Sequence, residues 1–208
     1  MVLEAGFMSG HDAETLNFYS KTAETYVSSG PNGASRHFEE FERRLPRGSH
    51  VLELGCGGGR DAKAFVNAGH RVDATDGTPE IAAQAARLLG TSVRVMRFED
   101  LDTVETYDAV WANASLLHVP RTELPNILAR IYRALKPGGL HLASFKSGGT
   151  EGRDQFGRYY NYPSQDQLQD FYDQSAEWDV LAIDAYQGGG YQTTNLGPWL
   201  AITARKPV

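Results

Sequence analysis

The stretch from Val51 to Asp61 constrains this chain more than any other. Val51-Leu52-Glu53-Leu54 reads as a short buried strand, Gly55-Cys56-Gly57-Gly58-Gly59 as a turn, and Arg60-Asp61 as the opening of a helix. A strand that turns through glycines into a helix lets the backbone pass close beneath a nucleotide-like ligand, because glycine tolerates the left-handed conformation and carries no Cβ. This construction belongs to α/β folds with a parallel sheet, so the flanking sequence should alternate strand and helix.

It does. Leu16, Phe18, Tyr19, Ala23, Tyr26 and Val27 recur at helical spacing over 12–29, and a second helix is expected over 34–44. Strands follow at 50–54, 71–75, 92–97, 107–112 and 140–146, separated by helices at 60–68, 79–89 and 121–135. Gly69 and Gly90 sit where helices end, Pro79 where one begins, and Lys136-Pro137-Gly138-Gly139 reads as a sharp stop. The segment 147–162 has no periodicity and is too long for an idle connection, so it is expected to be a functional loop. A helix at 164–174 and a hairpin of 179–187 with 198–205, interrupted by Gly188-Gly189-Gly190, close the chain. The expected fold is a Rossmann-like, doubly wound α/β sheet of seven strands, mostly parallel, with one antiparallel strand from the C-terminal hairpin. Ligands of such folds lie beyond the carboxyl ends of the strands, where strand order reverses.

With 208 residues, 41% of them hydrophobic, one core is expected: a single domain over 1–208, with a helical lid at 1–45 and an α/β core at 46–208. A net charge of −6 argues against general nucleic-acid binding and for a small-molecule partner. Residues 1–10 lack a basic start with an apolar run, and no long apolar stretch follows, so a cytoplasmic protein without a membrane segment is expected. The single cysteine, Cys56, excludes an intramolecular disulfide, and the histidines have no metal-site spacing.

A dinucleotide fingerprint beginning at Gly55 would need its third glycine where Arg60 stands. Instead Glu53, the turn that follows it, Asp76 at the end of the second strand, Tyr107–Asn113 and Leu135–Gly139 together resemble the class I S-adenosylmethionine-dependent methyltransferases. The likeness covers about residues 45–146. Ser115-Leu116-Leu117-His118-Val119-Pro120 and the leading Tyr-rich helix resemble the small-molecule members, including the tellurite-resistance type. No Asn-Pro-Pro-Tyr follows the fourth strand, so the amino-methylating enzymes of DNA and glutamine are not matched.

The resemblance implies S-adenosylmethionine as cofactor and S-adenosylhomocysteine as product. It places Glu53, Gly55, Cys56, Gly57, Gly77, Thr78, Asn113 and Ala114 around the cofactor, and Asp76 at its ribose, Asp76 being alternatively a helix cap. Where many members have an acid for the adenine amino group this chain has Arg97, which leaves Glu99 or Asp100 to take over, or stacking and backbone contacts; Phe98 and Glu99 are the favoured pair, and a solvated turn is the alternative. Arg60 is a partner for the cofactor carboxylate or a surface charge, and Tyr19 and Tyr26 either approach its amino-acid end or pack. His118 is a general base or a wall of the pocket. For the acceptor, Arg153 and Arg158 form an anion clamp or else pair with Glu151 and Asp154, with Lys146, Tyr159, Tyr160 and Tyr162 around it. Rival readings are a non-catalytic cofactor-binding regulator or partner subunit, a nicotinamide oxidoreductase, and a transfer-RNA-modifying enzyme. Monomer and homodimer are both open.

Overall fold

The computed structural model describes residues 10–208; the expectation drawn from the first residues lies outside them. In chain order the elements are α1 (Ala13–Ser28), α2 (Phe38–Glu42), β1 (His50–Leu54), α3 (Arg60–Asn67), β2 (Arg71–Asp76), α4 (Pro79–Leu89), β3 (Arg94–Val95) and β4 (Tyr107–Ala112). There follow α5 (Leu124–Ala134), β5 (Leu135–Lys146), β6 (Gly152–Arg153), β7 (Tyr159–Tyr160), α6 (Gln165–Ser175), β8 (Asp179–Gly190) and β9 (Thr193–Arg205). Seven strands form one sheet in the order β3-β2-β1-β4-β5-β9-β8. β9 runs antiparallel to both β5 and β8, and the remaining pairs are parallel. The order reverses between β1 and β4, which opens a crevice beyond Leu54 and Ala112.

Both faces of the central strands are covered, so their side chains are apolar almost without alternation. On one face Trp111 is fully buried among Phe38, Phe41 and Phe65, with ring centroids 5.1 to 6.4 Å from its own. On the other, Leu52, Leu54 and Val110 meet Leu124, Ile127, Leu128 and Ile131 of α5, each 1% exposed or less. Burying side chains of this size stabilises the fold by about 1.5–3 kcal/mol apiece.

Four boundaries differ from the sequence reading. The helix expected over 34–44 is confined to Phe38–Glu42, because the Ser35 amide is held by Asp61 Oδ1 at 2.7 Å and the chain there is tied to α3. The third strand shrinks to Arg94–Val95, an edge strand paired to β2 alone, before the chain turns at Phe98–Asp100. Helix α5 stops at Ala134, just ahead of Lys136–Gly139 as expected, but β5 begins at once, so Lys136–Gly139 forms a bulge within the strand. Tyr107 pairs with Leu135 and Ala109 with Leu140, and the Gly138 amide donates to Lys206. Finally, β8 and β9 continue through the glycine run, with Gly188 opposite Gly197 and Gly190 opposite Thr193. The 147–162 segment is ordered by the small β6–β7 hairpin, so it is a built element rather than an irregular loop.

Candidate active site

The turn after β1 divides its glycines by task. Gly55, Gly57 and Gly59 all have positive φ, at 71°, 54° and 81°. A Cβ on Gly55 would stand 2.5 Å from that of Ser115, whose hydroxyl donates to the Leu54 carbonyl at 2.6 Å. One on Gly59 would press on Ala85 of α4 at 3.1 Å. Around Gly57 the nearest atom is 4.0 Å away, on Tyr26, so this residue faces open cavity. Asp76 ties the turn to α4, accepting from the Gly57 amide at 3.1 Å and the Thr78 amide at 2.9 Å. Asp76 lines the cavity but is not the helix cap, since Thr78 holds the N-cap position of α4. Burial pushes the Asp76 carboxyl up to about 6 in spite of the two backbone bonds.

Two cavities meet at this turn. A narrow slot of about 90 Å³ is walled by Leu16, Asp76, Gly77, Thr78, Met96 and Phe98. A larger one of about 1050 Å³ takes in Glu53, Cys56, Arg60, Asn113, Lys146, Arg158 and Tyr160. Tyr19, Tyr26, Gly55, Gly57, Ala114 and His118 line both, and so form the neck between them. Glu53 lines the larger cavity, and its carboxylate oxygen Oε2 is buried with no protein hydrogen-bond partner. Burial, then the neighbouring Asp61, lift its pKa well above the usual carboxylate range. A buried acid without a partner on one oxygen fits an ammonium group, and Asp76 in its slot fits a pair of hydroxyls. Both belong to S-adenosylmethionine, whose amino-acid and ribose ends lie on opposite sides of the sulfur, and Gly57 leaves room for the ligand between them. The residues present thus fit that cofactor. Among the described residues no cluster of His, Cys, Asp and Glu could hold a metal ion.

The neck is closed by α1. Tyr159's carbonyl can only accept, so His118 donates to it from Nδ1 at 2.6 Å, and Nε2 accepts from the Tyr19 hydroxyl at 2.9 Å. Arg158 Nη1 donates in turn to that hydroxyl at 3.2 Å. Burial drops the His118 pKa to about 4, so the imidazole is neutral near pH 7 with both nitrogens occupied. Asn113 and Ala114 are fixed by Ser144, which accepts from the Ala114 amide at 2.8 Å and donates to Asn113 Oδ1 at 2.7 Å. The Cys56 thiol is buried and its pKa raised, which makes it a space-filling residue rather than a nucleophile.

Three expected site residues are occupied elsewhere. Glu99 is bound by His11 and does not line the slot, although Phe98 beside it does. Arg153 lies outside both cavities, clamping Asp12 through Nη1 and Nη2 at 2.9 and 2.7 Å and meeting Glu14 at 3.2 Å. The Tyr159 hydroxyl turns out to Glu151, and its contribution is its carbonyl. Arg158 combines both of its readings. It pairs with Asp154 at 2.7 and 3.0 Å while its guanidinium lies among the rings of Phe18, Tyr19, Phe156, Tyr160 and Tyr191, 4.9 to 5.7 Å from their centroids. Sequence reasoning missed Asp61, which holds Ser35 and the Trp111 indole, and the hairpin residues Tyr186, Tyr191 and Trp199. A carboxylate in the first turn of the helix that follows the glycines was a readable sign for the first; for the hairpin, only register reveals them.

The clamp makes a testable demand. Asp12 caps α1 by accepting from the Thr15 amide at 2.8 Å, besides holding Arg153, and these bonds depress its pKa to about 2 against the opposing effect of burial. Asp12→Ala should cost about 1 kcal/mol through the lost cap alone. Hydrogen exchange should show the first turns of α1 and the β6–β7 hairpin losing protection together, with the β1 and β4 amides unchanged.

Residues 51–139 match the family described as "Methyltransferase domain". Over 100 residues the chain is 38% identical to the ubiquinone biosynthesis O-methyltransferase of Xanthomonas oryzae pv. oryzae, a match spanning 44% of this chain and 41% of that relative. The matched stretch is thus well under half the length of the curated relative. Among solved structures, the Burkholderia thailandensis 1,6-didemethyltoxoflavin-N1-methyltransferase, with bound 1,6-didemethyltoxoflavin and S-adenosylhomocysteine, superposes with a TM-score of 0.75 at 22% identity, covering 99% of this chain and 94% of the other. TehB from Haemophilus influenzae gives 0.70 at 17% identity over 91% and 67%. Likeness at that level carries the fold. Residues 51–139 therefore resemble a methyltransferase domain, and the chain has the fold of these methyltransferase structures.

Proposed function

We propose that residues 1–208 act as one domain that moves the sulfonium methyl of S-adenosylmethionine onto a small-molecule acceptor by in-line displacement, releasing S-adenosylhomocysteine. The observation that carries this reading is the pair of cavities joined at Tyr19, Tyr26 and His118, with Asp76 on one side and the unsatisfied Glu53 oxygen on the other. S-adenosylmethionine supplies the electrophilic methyl when bound. The chain holds and aligns: Asp76 accepts from the ribose hydroxyls, Glu53 faces the ammonium, and Arg60 on the larger cavity is the group for the carboxylate. Tyr19, Tyr26 and His118 narrow the neck and exclude water from it. The cavity beyond the neck is large enough for an acceptor, which counts against a regulator that only holds the cofactor.

The proposal includes a cytoplasmic setting, a monomer or homodimer, and neither nucleic acid nor membrane as partner. No helix among the described residues is long and apolar enough to cross a membrane. Calorimetry should give micromolar affinity for S-adenosylhomocysteine and no heat with a nicotinamide dinucleotide. Absence of the first in folded protein, or the opposite preference, overturns the reading.

A further inference from the structure

Beyond the neck, the wall of the larger cavity carries a row of side chains set by strand register. Lys146 at the end of β5 lies opposite Trp199 of β9, and Trp199 lies opposite Tyr186 of β8. Residues aligned across neighbouring strands project to one face, and all three line the cavity. The indole and the Tyr186 ring are stacked at 6.0 Å with 24° between planes. The glycine run gives them space. A Cβ on Gly188 would stand 2.7 Å from Trp199 Cδ1, and one on Gly190 would stand 2.9 Å from Lys146 Nζ.

Lys146 is a half-buried ammonium, 4.4 Å from the Tyr160 ring centroid and 6.0 Å from that of Trp199. Among the described residues no carboxylate comes within ion-pair distance of it, whereas its neighbour Arg158 is held by Asp154. Burial, and then Arg158, hold its pKa below the ordinary lysine value. A cation kept from water against aromatic faces gains more from an anion than it would in solvent. His118, the expected general base, has both nitrogens engaged.

We infer that Lys146 anchors the acceptor, and that the acceptor is a planar molecule bound as an anion, its charge on the ammonium and its ring against Trp199. The word acceptor rests on the methyl-transfer reading above; the anion site does not. Naphthoate and naphthamide share a shape and differ in charge, so they can be titrated by fluorescence with and without saturating S-adenosylhomocysteine. The wild-type protein should prefer naphthoate by roughly tenfold or more. Lys146→Met should abolish the preference while S-adenosylhomocysteine affinity is kept, and Lys146→Arg should retain it. Equal affinity for the two probes in the wild type, or a preference surviving in Lys146→Met, overturns the inference. If the cofactor product fails to bind but the anion preference persists, methyl transfer falls and the anion site stands; the reverse result leaves methyl transfer without this site.

Discussion

Asp76→Asn should weaken S-adenosylhomocysteine binding by roughly a hundredfold, the worth of two hydrogen bonds to a charged acceptor at about 1.5 kcal/mol each. Asparagine is the informative choice because its one oxygen still accepts from the Gly57 or Thr78 amide, whereas alanine would leave both donors buried without a partner. The pH dependence gives a second, independent reading. The Asp76 pKa is raised from 3.8 to about 6 in the folded protein, so the native state holds this proton more tightly than the unfolded chain. Without ligand, the contribution of Asp76 to stability falls as pH rises from 3.8 to about 6. Ligand affinity runs the other way: the hydroxyls need the ionised acceptor, so binding strengthens as pH rises through about 6 and levels off above it. Calorimetry across that range should show the inflection in wild type and none in Asp76→Asn. A wild-type affinity indifferent to pH would remove Asp76 from the ribose site.

The glycine turn offers a larger effect, because two neighbouring glycines should fail in opposite ways. Gly57→Leu should abolish detectable S-adenosylhomocysteine binding at a modest cost to the fold, about 1–2 kcal/mol for a side chain at its positive φ. Its nearest neighbour is 4.0 Å away, so the new side chain would enter the neck rather than the core. Gly55→Ala should instead destabilise the fold by about 2–5 kcal/mol and lower the thermal midpoint markedly: the Ser115 contact at 2.5 Å adds overpacking of about 1–3 kcal/mol to a similar backbone strain. Thermal unfolding and calorimetry on the two variants separate the outcomes. Near-normal cofactor binding by Gly57→Leu would mean that the ligand does not pass this turn.

Much of the fold was legible because periodicity and punctuation agreed. Pro79 and Gly90 bracket α4 as the sequence implies, and the continuous apolar run at Tyr107–Ala112 is the central strand it resembles. What was not legible depended on contacts far along the chain. The Ala34–Ser35 segment has helical composition, yet Asp61, 26 residues on from Ser35, binds the Ser35 amide and delays the helix. The same holds in the site. Asp76 and Glu53 were named through the family resemblance, and each lines one of the two cavities. Arg153 and Arg158 look alike in sequence, but one ends on Asp12 at the surface and the other is buried among five rings, because β6 and β7 place them differently. Trp199 and Tyr186 became neighbours of Lys146 only when the register of three strands was fixed.

The first helix supplies Tyr19 and Tyr26 to the neck, is pinned by Asp12 to Arg153, and meets the hairpin tip where Tyr191 lies 5.3 Å from Tyr26 and 5.7 Å from Phe18. If the ligand of the proposed function passes out beside these contacts, they must part to release it. On the proposed function, the dwell time of spent cofactor should then follow the interactions that secure the helix, placing a ceiling on turnover at an opening step remote from the transferred methyl. Substitutions that fasten the helix should lengthen residence even where no atom near the sulfur has changed.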